Sequence, residues 1–299
     1  MNGQPGEVAA GDGEFRLDRE DILLGPEDAI RVIRRSPQIP YPLHTHDFSE
    51  LVIVLSGTGI HESGGERLPL SAGDVFVING DRAHGYTDCP DLNLLNVCFD
   101  FRRLNMPLHD LTRLPGYHAL FTLEPSGGVA PGAEGRLRLS PERLEEAKAL
   151  ADRIDEELSS GEEGRRFMAA AAFMSLAGRL CRWYSGAEKP GARDHLRVSR
   201  ALVHLEKHVD RDVRLDELTG LTGLSASTLN RAFKKAVGLP PLAYHGRLRV
   251  LLAADLLRTT DLTVAQIADR TGYGSANYLS RQFRRSIGLS PTAYRRRWG

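Results

Sequence analysis

Short apolar stretches separated by glycine- and aspartate-containing turns occupy the first third of the chain. Their pattern predicts strands at Ile30–Arg34, Leu51–Leu55, Gly59–His61, Leu68–Leu70, Val75–Ile78 and Leu92–Phe101. Turn residues such as Ser63-Gly64-Gly65 stand between them. Many short strands at this spacing are typical of a β-sandwich or a β-barrel.

The apolar spacing changes to that of helices at residue 140. Ser140 is a suitable N-cap, and Pro141 fits the first position of a helix. This helix has an apolar stripe formed by Leu144, Ala147, Ala151, Ile154 and Leu158. A second helix is predicted from about Arg165 to Tyr184, with Phe167, Ala170, Ala171, Met174, Leu176 and Leu180 on its apolar faces. The two helices can pack on the β-domain or form the seam of a dimer.

Other segments lack such periodicity. Residues 1–14 are polar and glycine-rich, which predicts a disordered leader, and residues 102–139 are predicted to be irregular, with an exposed loop at Pro125–Gly135. A linker rich in Gly, Ala and Pro is expected at Ser185–Asp194, and the chain from Arg197 onward is predicted to be helical. At 299 residues, two domains are expected.

The helical last third contains an internal repeat. Residues 225–244 and 275–294 share ten identities in twenty positions, and each copy contains a helix, a glycine turn and a second helix. Two copies in register are much stronger evidence of a common structural unit than a single motif. The pattern predicts two helix-turn-helix units, at about 213–237 and about 263–287.

Each second helix of the repeat has an apolar face and a polar face. The residues predicted to be buried are Leu229, Phe233 and Val237 in the first copy, and Leu279, Phe283 and Ile287 in the second. In the first copy, the preceding support helix is predicted to be anchored by Leu215, Leu218 and Leu221. The polar faces carry residue types that bond base edges and phosphates. Candidate DNA-binding residues are Ser227, Thr228, Asn230, Arg231, Lys234, Asn277, Tyr278, Ser280, Arg281, Arg284 and Arg285. A single helix from about Leu242 to Arg258 connects the two units.

The charge distribution supports a polyanionic partner. The whole chain has no net charge, but residues 195–299 contain 18 Lys/Arg against 8 Asp/Glu, a net +10, and residues 1–194 have a net −10. A basic domain of this kind is typical of proteins that bind double-stranded DNA. The three cysteines have neither metal-ligand spacing nor a disulfide pattern, and no apolar run is long enough to cross a bilayer. A cytoplasmic protein is therefore expected.

The second repeat copy contains Ile267-Ala268, Gly272-Tyr273, Asn277 through Arg285, and Gly288-Leu289-Ser290-Pro291. In these motifs residues 195–299 resemble the AraC/XylS family of bacterial transcription regulators. The resemblance implies a DNA-binding domain whose base-reading positions fall on Ser227, Asn230, Arg231, Asn277 and Arg281. It also implies a homodimer, a contact with RNA polymerase, and activation more often than repression.

A second resemblance lies near the N-terminus. His44, His46, Glu50 and Gly57 have the spacing of the first cupin motif, and His84 stands where the second motif ends, although Asn79 replaces its usual proline. Positions two apart in a strand share a face, so His44 and His46 can both point inward. The candidate effector-binding residues are His44, His46, Glu50, His84 and Tyr86, with Arg34, His61 and Asn96 as weaker pocket candidates. No cofactor is expected; if a divalent metal is present, its candidate ligands are His44, His46, Glu50 and His84.

These observations predict a multidomain α and β protein. The expected parts are a cupin-like effector-binding barrel (25–139), a helical linker or dimerisation region (140–185) and an all-α DNA-binding domain (195–299). The resemblance to sugar-sensing members predicts a transcription regulator that responds to a sugar or a related metabolite and has no enzymatic activity. Two alternatives stay open: a metal-dependent cupin enzyme fused to a DNA-binding domain, and a regulator whose barrel only dimerises.

Overall fold

A computed structural model gives the fold of this chain. It describes residues 15–23, 25, 28–80, 82–104, 108, 110–123, 136–186 and 190–298, so the leader expected at 1–14 and the loop expected at 125–135 lie outside the described residues. The chain divides into two compact units, Met1–Leu196 and Arg197–Gly299. The first unit contains two β-sheets and the second is helical, which confirms the predicted fold class.

Ten described strands form the two sheets of the first unit. They are β1 (Phe15–Leu17), β2 (Ile30–Arg35), β3 (Tyr41–His46), β4 (Ser49–Ser56), β5 (Thr58–Ser63), β6 (Glu66–Ser71), β7 (Asp74–Ile78), β8 (His84–Thr87), β9 (Asn93–Phe99) and β10 (Leu137–Arg138). One sheet has the order β1-β3-β8-β5-β6, and the other has the order β10-β7-β4-β9-β2. All six predicted strands are present. The structure adds β1, which pairs with β3 in parallel, together with β3, β8 and β10.

The central strands of the second sheet explain why their sequence is almost continuously apolar. Strand β4 lies between β7 and β9, and its residues Glu50 to Val54 are all buried, so both faces of the strand are covered. A strand covered on both faces loses the usual apolar-polar alternation. The turn after β4 requires Gly57, which has φ 76°, because a Cβ atom there would overlap the carbonyl oxygen of Asp91.

Two long helices pack against this sheet and share its core. Helices α4 (Pro141–Ser159) and α5 (Arg165–Ser185) place Ala147, Ala151, Ile154, Phe173 and Leu176 in one cluster with residues of β2, β4, β7 and β9. The hydroxyl of Ser140 accepts a hydrogen bond from the amide of Arg143, as its predicted capping role requires. The prediction for α5 was partly wrong. Phe167 is 75% exposed and Met174 is 37% exposed, because the face of α5 that contacts the sheet is formed by Ala169, Ala172, Phe173, Leu176, Ala177 and Leu180.

The segment predicted to be irregular contains short helical elements. Helix α2 (Phe101–Leu104) follows β9. After it come a 3-10 turn at Leu111–Arg113, helix α3 (Pro115–Tyr117) and a π-type turn at His118–Thr122. A short helix α1 (Arg19–Leu23) precedes β2. Helices of so few residues leave little periodicity in a sequence, which explains why they were missed.

The second unit is built from the predicted helices. Its elements are the C-terminal part of α6 (Pro190–Lys207), α7 (Leu215–Thr222), α8 (Ala226–Val237), α9 (Pro241–Thr259), α10 (Val264–Arg270), α11 (Ala276–Ile287) and α12 (Pro291–Trp298). The expected linker at Ser185–Asp194 is shorter than predicted, because α5 ends at Ser185 and α6 begins at Pro190. A proline is compatible with the first turn of a helix, so its presence did not exclude one here.

Leu221 is 41% exposed rather than an anchor of α7; Leu218 and Thr222, one turn apart, are the buried pair. All three cysteines are buried and free. Within the described part of the chain, no helix combines the length and apolar character needed to cross a bilayer.

Candidate nucleic-acid interface and effector pocket

Helix α8 has defined ends and one fully buried face. The hydroxyl of Ser225 accepts a hydrogen bond from the amide of Thr228, and Gly238 ends the helix in the left-handed region with φ 84°. Leu229 and Phe233 are completely buried, as predicted, whereas Val237 is partly buried. The caps and the apolar face together fix which side chains of α8 face outward.

The predicted DNA-binding residues of α8 differ in exposure. Ser227, Arg231 and Lys234 are exposed, but Thr228 and Asn230 are half-buried. The amide nitrogen of Asn230 donates to the carbonyl oxygen of Ala226 at 2.9 Å, so this side chain lies along its own helix. The exposed candidates of α8 are therefore Arg231, Lys234 and Ser227, and the hydroxyl of Ser227 lies 3.2 Å from that of Ser225.

Helix α11 resembles α8 in its caps and its buried apolar face, but its outer face is more basic. Its N-cap is Ser275, its C-cap is Gly288 with φ 85°, and Leu279 and Phe283 are completely buried. Ser280 is half-buried, and the exposed candidates are Asn277, Tyr278, Arg281, Arg284 and Arg285. The guanidinium of Arg281 lies 5.6 Å from the centre of the Tyr278 ring, a cation–π distance that limits the orientations of both side chains.

A buried arginine joins the two helix-turn-helix units. Arg249 of α9 is 6% exposed, and its Nη1 donates to Asp212, which precedes α7, at 3.1 Å. Its Nε donates to the carbonyl oxygen of Thr271 at 2.7 Å, and its guanidinium lies 4.0 Å from the centre of the Tyr273 ring in the turn before α11. One side chain thus bonds to both units, so α8 and α11 are held in a fixed relationship. The sequence gives a weak signal for this role, since Arg249 lies within an otherwise apolar stretch of α9.

The second candidate site is a group of histidines between the sheets of the first unit. His46 of β3, Glu50 of β4 and His84 of β8 are all less than 10% exposed. The Nε2 atoms of both histidines lie 3.4 Å from Oε2 of Glu50. Burial alone would raise the pKa of Glu50, but the imidazoles of His46 and His84 hold it well below its ordinary value. Glu50 is therefore a buried carboxylate.

His44 is buried beside this group, with its ring centre 4.1 Å from that of His84. It is buried on the same face of β3 as His46, but it lies outside the group of His46, Glu50 and His84, whose donor atoms are all within 4.8 Å of one another. Its Nδ1 contacts the carbonyl oxygen of Pro42 at 3.0 Å and its ring stacks on Phe15. Burial, with help from the neighbouring His84, lowers the pKa of His44 to about 4. The structure thus brings together three of the four candidate metal ligands.

A small cavity of about 40 Å³ lies beside this cluster. Tyr86 and Asn96 line it, as the sequence suggested, and they are joined by Gln38 and Tyr41, which the sequence analysis missed. A β-bulge between Tyr41 and His44 breaks the two-residue alternation that would have revealed Tyr41. The hydroxyl of Tyr86 and the Oδ1 of Asn96 are buried without a hydrogen-bond partner among the described residues.

Two weaker pocket candidates have contrasting positions. His61 is 2% exposed, with its ring 5.9 Å from that of His84, and burial lowers its pKa well below the ordinary value. Arg34 does not line the cavity. It is exposed and forms ion pairs with Asp152 at 2.8 Å and Asp155 at 3.3 Å on α4, because its position on β2 faces the helices.

Known protein families match parts of this chain. Residues 28–177 match the family described as AraC-like ligand binding domain, and residues 218–297 match the helix-turn-helix domain. The transcriptional activator RhaS of Enterobacter sp. is 31% identical over 88% of this chain and 90% of its own length. The transcriptional activator RhaR of Mannheimia succiniciproducens is 28% identical over the same shares.

Part of this chain also resembles a solved structure. The C-terminal domain of AraT, a response regulator from Geobacillus stearothermophilus, is 32% identical, covers 34% of this chain and 84% of that chain, and has a TM-score of 0.33. The named sequence relatives are transcriptional activators, in agreement with the predicted transcription regulator. With a ligand-binding match over half of its length and a relative above 30% identity, this chain belongs to the AraC family of ligand-responsive, DNA-binding transcription regulators.

Proposed function

We propose that this regulator reads promoter DNA with the exposed faces of α8 and α11, and that a small oxygen-rich metabolite bound beside the histidine cluster controls this activity. The proposal that this regulator reads DNA rests on two capped helices with the same pattern of buried and exposed residues. Arg249 holds the two helices together, and they expose Arg231, Arg281 and Arg284. The basic and amide side chains of these faces suit contacts to guanine, adenine and phosphates.

The spacing of the two recognition helices predicts the form of the operator. Helix α9, which connects the units, has 19 residues and is ~28 Å long at 1.5 Å per residue. This length is close to the ~34 Å repeat of successive major grooves on one side of the duplex. We expect each chain to read two short sequence blocks separated by about one turn of DNA.

Selection of high-affinity duplexes from a randomised pool by the full-length protein tests this proposal. We expect an enriched site with two blocks whose centres are about 10 base pairs apart, and protection of both blocks in footprinting. The double variant Arg231→Ala, Arg281→Ala should lose this enrichment. Enrichment of no sequence, or of one block only, would refute reading by both helices.

The effector site is proposed from the unpartnered polar atoms of Tyr86 and Asn96, which line the small cavity. Hydroxyl-rich ligands such as sugars satisfy such groups. A monosaccharide needs more room than about 40 Å³, so its entry requires movement of wall residues such as Leu17 and Ile22.

Thermal-shift measurements on the full-length protein against a panel of sugars and sugar acids test the effector site. A ligand that binds the folded state raises the unfolding temperature. We expect Tyr86→Phe to reduce the shift and Arg34→Ala, outside the cavity, to leave it unchanged. A ligand whose shift is the same in Tyr86→Phe would place the effector elsewhere.

The regulator is further proposed to act as a homodimer and as an activator that contacts RNA polymerase. The named relatives are activators, and Phe167 and Met174, two turns apart on α5, are exposed apolar side chains suited to contact with a second copy. Sedimentation equilibrium tests this assembly. A Phe167→Glu variant should shift the protein toward the monomer, whereas a monomeric parent protein would exclude the homodimer.

A further inference from the structure

Arg35 brings a positive charge to the wall of the cavity in the first unit. Strand β2 pairs with β9, and directly opposite residues of an antiparallel pair point to the same side of a sheet. Ile33 is opposite Asn96, so Arg35, two residues further along β2, shares the inner face of the sheet with Asn96. Arg34 lies on the other face and pairs with acidic residues of α4. Two adjacent arginines therefore point to opposite sides of one strand.

The side chain of Arg35 differs from nearby arginines in its lack of a partner. It is half-buried, and it has no hydrogen bond or ion pair within the part of the chain that the structure describes. By contrast, Arg31 on the same face of β2 donates from its Nη1 to the carbonyl oxygen of Ile22 at 2.7 Å, and Arg19 pairs with Asp47 at 2.7 Å. A guanidinium withdrawn from water without an acceptor is costly. An acceptor on a ligand in the cavity would remove this cost.

The acidic residue of the cavity lies at its other end. Glu50 is the one acidic side chain among the described residues that line it. In the sheet Glu50 is opposite Cys98, and Cys98 is also opposite Arg31, so Arg35 lies four residues further along the sheet than Glu50. At ~3.3 Å per residue, the two backbone positions are ~13 Å apart along the strand direction. The cavity thus has a cationic end and an acidic end.

Polar atoms inside the cavity also lack partners. The hydroxyl of Tyr86 and the Oδ1 of Asn96 are buried without a hydrogen-bond partner among the described residues, and both residues line the cavity. Asn96 is opposite Ile33, midway between the levels of Glu50 and Arg35 in the sheet. An amide oxygen only accepts hydrogen bonds, whereas a tyrosine hydroxyl can donate or accept. Alcohol groups of a ligand can fill both roles.

We propose that the effector is a hydroxylated carboxylate, such as a sugar acid, whose carboxylate binds Arg35 and whose hydroxyl groups bond to Asn96 and Tyr86. A guanidinium binds a carboxylate through two parallel hydrogen bonds, a geometry that a neutral hydroxymethyl group does not reproduce. A carboxylate beside Glu50 would meet another acidic group, so the hydroxyl groups of the ligand lie at that end. This inference rests on the proposed effector site and adds the charge of its ligand.

Matched acidic and neutral compounds test the inference on the full-length protein. The pairs are D-glucuronate and D-glucose, D-galacturonate and D-galactose, and glycerate and glycerol. We expect at least one acid to raise the unfolding temperature of the protein. Calorimetry should show that this acid binds at least about tenfold more tightly than its neutral counterpart, as expected for hydrogen bonds between charged groups.

Variants of the two adjacent arginines show whether this preference belongs to Arg35. Arg35→Gln should lower the affinity for the acid about 10–100-fold and leave that for the neutral compound nearly unchanged, because it removes the contact between charged groups. Arg35→Lys should keep part of the preference, since it retains the charge without the two parallel donors. Arg34→Gln is the matched control, because it removes the same charge from the other face of β2. Circular dichroism without ligand establishes that the variants are folded.

Three results would overturn the inference. One is a panel in which no acid stabilises the protein, and another is an affinity for every acid that does not exceed that for its neutral counterpart. The third is a loss of acid affinity in Arg34→Gln as large as that in Arg35→Gln, since the overall charge and not the cavity would then attract the ligand.

The same samples distinguish this inference from the proposed function. If only neutral compounds bind and Tyr86→Phe weakens their binding, the proposed effector site stands and the inference about the charge of its ligand is wrong. If an acid binds through Arg35 but leaves the affinity for the selected duplex unchanged, the inference stands and the proposed control of DNA binding is wrong.

Discussion

Gly272 and Arg211 touch through their backbones, although they belong to different helix-turn-helix units. A Cβ atom on Gly272 would lie 2.6 Å from Cα of Arg211 and 2.7 Å from its nitrogen. Gly272 has φ 67° in the turn of the second unit, and Arg211 lies in the segment before α7 of the first. This contact and the bonds of Arg249 hold the two recognition helices as one body.

The contact predicts that Gly272→Ala destabilises the DNA-binding unit. The new methyl group must displace backbone atoms, which costs about 1–3 kcal/mol in a packed site. The left-handed conformation adds ~1 kcal/mol for a residue with a Cβ atom. Amide hydrogen exchange of α10 and α11 in the full-length protein should show a matching loss of protection.

Gly274 provides the control for this prediction. It has φ 61°, almost the same conformation, but nothing lies within 4 Å of a Cβ atom built on it. Gly274→Ala should therefore show only the ~1 kcal/mol conformational cost. If Gly272→Ala and Gly274→Ala lose equal protection from hydrogen exchange, the contact between Gly272 and Arg211 does not help to hold the two helix-turn-helix units together.

Arg211 also controls the charge of Glu217 at the start of α7. Its guanidinium donates to Oε2 of Glu217 at 2.7 Å, and the amide of Arg214 donates to Oε1 at 3.0 Å. These bonds, the guanidinium first, lower the pKa of Glu217 to about 2. Because the folded-state pKa lies below the ordinary value of 4.5, the stabilisation is present above pH 4.5 and is lost as the pH falls through about 2.

Hydrogen exchange of the α7 amides between pH 2 and pH 6 measures this effect. The wild-type protein should lose protection of α7 in the acid range because Glu217 becomes protonated there. In Glu217→Gln the protection should already be lower at pH 6, and its remaining pH dependence should be smaller. An acid-induced loss that is the same in both proteins would show that Glu217 is not its cause.

Much of the fold follows from local patterns in the sequence. Leu229 and Phe233, and their counterparts Leu279 and Phe283, lie one helical turn apart, and all four are completely buried. Because of this spacing, the outward face of each recognition helix can be predicted from its own sequence alone. The shared face of His44 and His46 follows in the same way from the two-residue period of a strand.

The failures of prediction have tertiary causes. Phe167 is apolar and helical, but the sheet covers the other side of α5, which no local pattern reveals. His44 is buried as expected and its ring centre lies 4.1 Å from that of His84, but its Nδ1 contacts the carbonyl oxygen of Pro42 and it lies outside the group of His46, Glu50 and His84. The role of Arg249 depends on Asp212 and Thr271, which lie 37 and 22 residues away in the sequence.

Arg281 is predicted to make the principal base contact of α11. It is exposed and lies beside Tyr278, so it is presented outward with a restricted orientation. A bidentate contact to guanine contributes about 1–3 kcal/mol of discrimination, so Arg281→Ala should weaken binding to the selected duplex by that amount. On duplexes altered at the base pair that Arg281 contacts, Arg281→Ala should reduce the affinity less, because the wild-type protein cannot make this contact there either.

Arg258→Ala is the control for this measurement. Arg258 is also exposed, but it lies at the end of α9 and pairs with Asp255 at 2.9 Å. Its removal lowers the charge of the domain equally without changing a recognition helix. A loss of affinity that is the same for both variants, or the same on every duplex, would mean that Arg281 contributes only its charge.

Salt dependence gives the last prediction, which concerns the number of phosphates that the basic unit contacts. Binding releases counterions from DNA, so the logarithm of the affinity should fall linearly with the logarithm of the salt concentration, with a slope of about −0.9 per phosphate contact. Arg284 and Arg285 are exposed at the C-terminal end of α11. If each contacts a phosphate, Arg284→Gln and Arg285→Gln should each reduce the slope by about 1 on every duplex.

Arg166→Gln, in the other unit and paired with Asp28 at 2.9 Å, should leave the slope unchanged. A slope near zero for the wild-type protein would contradict phosphate binding, and unchanged slopes for both arginine variants would place the contacts elsewhere on the unit.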